Sequence, residues 1–210
     1  MTGLTDVTLE PAPAAAPTPP PRTLRWRFRG WQLLPVLLVA AAAMIGGMRH
    51  VSTTFDEILM PTAGARGYAT GHFDLVNDHP RFAQYLYGLP VYLSRPHYPP
   101  ESVKWGYWTR YSYARAFYWE VGNDPERIAF IARLAGVAMA LLLAFAVYLY
   151  GRRFGRGVGL LAAGLVAFLP DVLGHGSITY NDVPMALGYL LGIWALDAAV
   201  CRPTFPRILL

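Results

Sequence analysis

Charge is scarce in this chain: Asp, Glu, Lys and Arg together make up 15% of its 210 residues. Soluble domains carry about a quarter. With 54% hydrophobic residues and a mean hydropathy of +0.30, the shortage excludes an ordinary water-soluble fold for the whole chain. Cysteine is scarcer still. The one thiol, Cys201, forms no intramolecular disulfide, so nothing staples the chain covalently. No His-rich or Cys-rich cluster with metal-ligand spacing exists either.

What is there is apolar and unevenly spread. A hydrocarbon core of about 30 Å takes about 20 helical residues. Four stretches approach that length: 30–48, 128–150, 157–173 and 183–200. The first has no charge between Trp31 and Met48 and is entered by Trp26 and Trp31, aromatic anchors of the interfacial kind. Its run exceeds the ~7–15 residues of a signal-peptide core, so it reads as a retained span. The second is interrupted by Arg133, the third is short and carries Pro170 near its end, and the fourth has Asp197 in its last turn.

Short loops rich in Arg stay in the cytoplasm. Arg22, Arg25, Arg27 and Arg29 precede the first span, Arg152, Arg153 and Arg156 join the second to the third, and Arg202 and Arg207 follow the fourth. Four crossings put all three clusters on one side. The net charge of +5 is thus mainly a topology signal, and nucleic acid is not an expected partner. The expected location is the plasma or inner membrane, multi-pass, with a cytoplasmic N-terminus.

Residues 1–29 are Pro- and Ala-rich and read as a disordered cytoplasmic tail. Residues 49–127 form a long extracytoplasmic loop, and 201–210 a cytoplasmic end. The loop is dense in aromatics (Tyr85, Tyr87, Tyr92, Trp105, Tyr107, Trp108, Tyr111, Tyr113, Tyr118, Trp119). Thr53 or Thr54 suits an N-cap for a short helix through Asp56 and Glu57, and Arg81 to Leu93 has the pattern of an amphipathic helix lying on a membrane. The expected fold class is all-α integral membrane: about four transmembrane helices, with a loop subdomain of short amphipathic helices.

Acids stand where spans emerge: Asp56 and Glu57 after the first, Asp182 before the fourth. Ionisable groups at the edge of a span point to function, and a partly desolvated carboxylate suits a general base. The same acids also suit helix N-termini. Arg133, near the outer end of the second span, has the planar fork that binds phosphate oxygens in pairs; a snorkelling role at the interface is the alternative. His79 and His175 fall on the same face, where imidazole binds phosphate, shuttles protons or ligates metal.

Several stretches recur in a familiar order: Thr54-Phe55-Asp56-Glu57, Asn77-Asp78-His79-Pro80, Ala132-Arg133-Leu134 through Tyr150-Gly151-Arg152-Arg153-Phe154-Gly155 to Leu169-Pro170, and His175-Gly176-Ser177-Ile178-Thr179-Tyr180-Asn181-Asp182-Val183-Pro184. In that order the chain resembles the C superfamily of membrane-embedded glycosyltransferases. Within it, the likeness is to bacterial relatives of protein O-mannosyltransferases and aminoarabinose transferases, which use polyprenyl-phosphate sugars. The resemblance implies hexosyl or pentosyl transfer from a lipid-linked donor to an acceptor on the extracytoplasmic face. Asp56 maps to the catalytic base with Glu57 its neighbour, and Asp182 to an acid of the donor and acceptor site, which in some members holds a divalent metal ion. The implied partners are the polyprenyl-phosphate donor, membrane lipid and an acceptor of unspecified kind. Members of the family have about twice as many spans, so the chain reads as an N-terminal portion whose activity alone is in question. A transporter or flippase fragment and a non-catalytic membrane subunit are the rival readings.

Overall fold

The computed structural model describes residues 30–100 and 109–201. The tail 1–29, residues 202–210 and Trp105, Tyr107 and Trp108 lie outside them, and with them the basic clusters at both ends. Among the described residues there are helices and no strands: α1 (Leu33–Met48, after a 3-10 turn at Gly30–Gln32), α2 (Leu59–Thr70), α3 (Arg81–Leu93), α4 (Thr109–Trp119), α5 (Pro125–Gly151), α6 (Arg156–Ala167), α7 (Pro170–Gly176) and α8 (Asp182–Cys201). Three helical segments are long and apolar enough to cross a membrane: Gly30–Met48, Pro125–Gly151 and Asp182–Cys201. The protein is a helical membrane protein.

The first and last of these agree with the expected spans to within a residue or two. The middle one begins three residues earlier than expected. Asp124 caps it, its Oδ1 accepting from the backbone N–H groups of Glu126 and Arg127 at 3.1 Å each, and Pro125 fills the first turn, where no N–H is needed. At 27 residues α5 is about 40 Å long, longer than the roughly 30 Å of a hydrocarbon core.

Helix α5 is the axis of the structure and touches α1, α3, α4, α6, α7 and α8. α1 runs antiparallel to it: Leu33 shares a cluster with Tyr148, and Met48 lies beside Arg133. The expected third span is broken. α6 ends at Ala167, Leu169 is extended as the residue before a proline must be, and Pro170 opens α7, with a 60° bend between the two helices. The pair climbs α5 backward from Gly151 to Gly136. A Cβ on Gly159 would lie 2.8 Å from the Tyr148 carbonyl oxygen, and one on Gly136 2.9 Å from the carbonyls of Gly176 and Ile178. Apolar surface alone gives helices little reason to associate in lipid; small residues let the backbones close to van der Waals range.

At one end of the bundle α2, α3 and α4 pack over the start of α5. Leu59 through Gly67 of α2 are buried without interruption. α3 has the expected bounds. Ala83, Gln84, Tyr87, Gly88 and Val91 face inward, against α2 at Gly64, where a side chain would overlap the Gln84 carbonyl. Its outward row, Phe82, Tyr85, Leu89, Tyr92 and Leu93, is exposed and apolar, as suits a helix seated on lipid. The helix expected through Asp56 and Glu57 starts later, at Leu59; residues 55–58 are turns.

Candidate functional site

Two hydrogen bonds tie the segment before α2 to the segment before α8, and a third ties α3 to the latter. Thr179, fully buried, donates its hydroxyl to the Glu57 carbonyl at 2.7 Å; Tyr87 donates its phenol to the Tyr180 carbonyl at 2.7 Å; Thr54 Oγ1 and the Tyr180 hydroxyl are 3.0 Å apart. Burial, and then the nearby Asp182 and Glu57 charges, push the Tyr87 phenol well above its usual range, so it remains a donor. With the turn before α3 and the first residues of α4, these segments enclose a cleft of 490 Å³ lined by Asp56, Asp78, His79, Arg110, Tyr111 and Asp182, with Thr179, Tyr180 and Asn181 along one wall.

Asp56 and Asp182 are exposed in this cleft. Asp56 Oδ1 accepts from the Tyr111 hydroxyl at 2.8 Å, and the Tyr111 ring stacks on Phe55 at 4.3 Å between centroids. Burial, then the hydrogen bond to Asp56, raise the Tyr111 phenol above its ordinary value. The phenol therefore stays protonated and orients the carboxylate while leaving Oδ2 for other work.

Asp78 is held by Arg110, whose Nη1 donates to Oδ1 at 2.6 Å, with His79 Nδ1 at 3.2 Å. The Arg110 hydrogen bond, ahead of the contribution from His79, lowers the Asp78 carboxyl to about 2. A carboxyl depressed in the fold favours the folded state above its unfolded value of 3.8, and that contribution fades as pH falls through about 2. A titration of carboxyl-13C-labelled protein is expected to put the Asp78 midpoint near 2 and to return it toward 3.8 in Arg110→Gln. An ordinary midpoint in the parent chain would rule out the pair.

Glu57 and Arg133 do not line this cleft together with the other acids. Glu57 is 1% and Arg133 3% exposed. They form a two-pronged pair, Arg133 Nε to Glu57 Oε1 at 2.6 Å and Nη2 to Oε2 at 2.9 Å. The remaining N–H groups go to carbonyls: Nη1 to Met48 and Val51 at 2.8 and 2.9 Å, Nη2 to Ser52 at 3.2 Å. A guanidinium has five N–H donors, and all are occupied. Arg133 is therefore a clasp between α1, the turn before α2 and α5, with no donor left for a phosphate, and Glu57 is its buried partner rather than a second acid at the surface. Glu57 Oε2 also accepts from the Thr54 N–H at 3.1 Å, but the expected threonine cap does not form, α2 having no side-chain cap. The Thr54 hydroxyl is turned to Tyr180 instead.

Of the two histidines, His79 lines the cleft and His175 does not. His175 lies on α7, its Nδ1 2.9 Å from the Asp171 carbonyl oxygen and its ring 6.3 Å from that of Tyr180. Among the described residues no three of His, Cys, Asp and Glu converge as a metal site would. The polar cleft residues without a role in the sequence-based set are Asp78, Arg110, Tyr111, Thr179, Tyr180 and Asn181. All but Arg110 and Tyr111 sit inside stretches whose order was informative; Tyr111 stood out only as one of many loop aromatics, and nothing in the sequence marks Arg110.

Asn181 belongs to both this cleft and a neighbouring apolar groove of 450 Å³ between the start of α3 and the start of α8, walled by Phe82, Pro184, Met185 and Tyr189. Its Oδ1 is buried there without a hydrogen-bond partner. Compared with known proteins, the chain matches no family model, no curated protein and no solved structure.

Proposed function

We propose that the protein is a glycosyltransferase that moves a sugar from a polyprenyl-phosphate donor to an acceptor hydroxyl or amine. The observation that carries this reading is the meeting of Asp56 and Asp182, far apart in sequence, in one polar cleft that adjoins an apolar groove through Asn181. A lipid-linked sugar has the same two-part character.

Asp56 takes the acceptor proton while the acceptor atom bonds to the anomeric carbon. The bond from that carbon to the phosphate oxygen breaks, and its electron pair leaves with the polyprenyl phosphate. Arg110, on the cleft wall, is the guanidinium suited to steady that anion; Arg133 is committed elsewhere. Asp182 and His79 hydrogen-bond the sugar and acceptor. In this reading the α6–α7 pair is a fourth, broken crossing, the N-terminus is cytoplasmic, and α2 to α4 stand on the extracytoplasmic face of the plasma or inner membrane. A transport path is less well supported, because Arg133, the charge set furthest into α5, is closed by Glu57.

The test supplies the full chain, in lipid vesicles, with polyprenyl-phosphate-linked radiolabelled pentose or hexose and an extract of candidate acceptors. Expected is release of free polyprenyl phosphate matched by label in the acceptor, and strong loss of both in Asp182→Asn. Label confined to the donor for every sugar tried would end the proposal.

A further inference from the structure

A second cleft, of 740 Å³, opens between the end of α1 and the start of α5. It shares no lining residue with the first: Arg133 is among the residues that line it, whereas Asp56, beside the other partner of the clasp, lines the first cleft. Its size falls within the ~300–1,000 Å³ of small-molecule sites.

We propose that this cleft holds the headgroup of a zwitterionic, amine-bearing membrane phospholipid. Arg49 follows directly on the last apolar residue of α1, and its guanidinium is set over the Phe130 ring at 5.5 Å. Arg127 rises from the first turn of α5. Among the described residues neither arginine has a carboxylate within 4.0 Å, a condition shared with Arg81, Arg95, Arg152 and Arg156, whereas Arg66, Arg110, Arg115, Arg133 and Arg153 are paired; what sets Arg49 and Arg127 apart is that they line one cavity. Two cations left over at the end of a span, on the rim of one cavity, fit a phosphate. Arg133 does not compete, since its donors are spent on Glu57 and three carbonyls.

The source of that phosphate follows from the remaining lining. Trp119 and Val51, 50% and 53% exposed, present apolar surface at the rim, where a glycerol backbone and the start of acyl chains would lie. A free phosphate has no use for them. His50, Ser52 and Thr53 add polar lining beside Arg49, and the two acids of the lining, Asp124 and Glu126, oppose a purely anionic headgroup. Asp124 is engaged by the N–H groups of α5, so Glu126, with the Trp119 ring, is left to receive an ammonium. The inference does not depend on the transferase reading, because no residue of the first cleft takes part.

The full chain in detergent is titrated with dioctanoyl phosphatidylethanolamine while tryptophan emission is followed, with Trp119→Phe identifying the reporting ring. A saturable change is expected that is absent in Trp119→Phe, about tenfold weaker in Arg49→Gln/Arg127→Gln, and unaltered in Asp56→Asn. Dioctanoyl phosphatidylglycerol is expected to bind more weakly, and Glu126→Lys to reverse that order. Both arginines are exposed, so the double variant should melt with the parent, which separates lost binding from lost folding. No saturable change, equal affinity in the double variant, or a stronger response to phosphatidylglycerol in the parent would overturn the proposal. Competition by inorganic phosphate as effective as by the lipid would also overturn it, by showing a site for a soluble phosphoryl group.

Discussion

Arg133→Met is expected to lower stability by about 3–5 kcal/mol, the usual cost of removing one partner of a buried ion pair. The reason is what stays behind. Glu57 is 1% exposed and its carboxyl would be left with neither water nor guanidinium to face, and the carbonyls of Met48, Val51 and Ser52 would lose their donors. The clasp joins α1, the turn before α2 and α5, so α1 should loosen from α5 near Met48 while the Leu33 and Tyr148 end stays packed. Glu57→Gln keeps the shape and removes the charge, and is expected to cost less. Arg133→Met/Glu57→Met should recover part of the loss, because no lone charge remains, but not all of it, because the three carbonyls stay bare. Thermal melting of the four proteins in one detergent gives the comparison. A parent-like melt for Arg133→Met would show that the pair does not hold the helices together.

Asp56→Asn, by contrast, should leave the fold alone and remove the activity. Asp56 is exposed and its one hydrogen-bond partner shown here, the Tyr111 phenol, can donate to an amide oxygen as readily as to a carboxylate; exposed substitutions of this kind shift stability by about 0.5 kcal/mol or less. An amide cannot accept the acceptor's proton, and loss of a positioned general base costs about 10²–10⁴-fold in rate. Tyr111→Phe keeps the base and frees it to turn, so a smaller drop is expected, seen in the rate at saturating donor rather than in donor affinity. Full transfer by Asp56→Asn would remove Asp56 from the chemistry and with it the mechanism proposed here.

The spans were legible because lipid imposes a simple rule: a crossing helix must be long and nearly free of charge, and residues 30–48, with no charge, and 183–200, with Asp197 only in the last turn, read that way without reference to any partner. The bounds of α3 were legible for a related reason, since its apolar spacing and the proline before it mark a single helix. The start of α5 was also written locally, in Asp124-Pro125-Glu126, a capping signal that hydropathy alone passes over. Pro170 announced a break in the third window, though not the 60° bend it makes.

The site divided differently. That Asp56 and Asp182 could share a surface followed from counting crossings, and the structure does set them in one cleft. The separation of Asp56 from Glu57 was not legible, because adjacent acids in a sequence carry no mark of which will turn inward. That choice was made by Arg133, distant in the chain, which drew Glu57 into the interior and left Asp56 outside. Arg110 and Tyr111 came to the cleft only because α4 packs on α2 and α5. Hydrophobic length and helix signals are local properties and survive in a sequence read by itself; the partner of a charged side chain is decided by which distant backbone arrives beside it, and only the packed structure contains that distance.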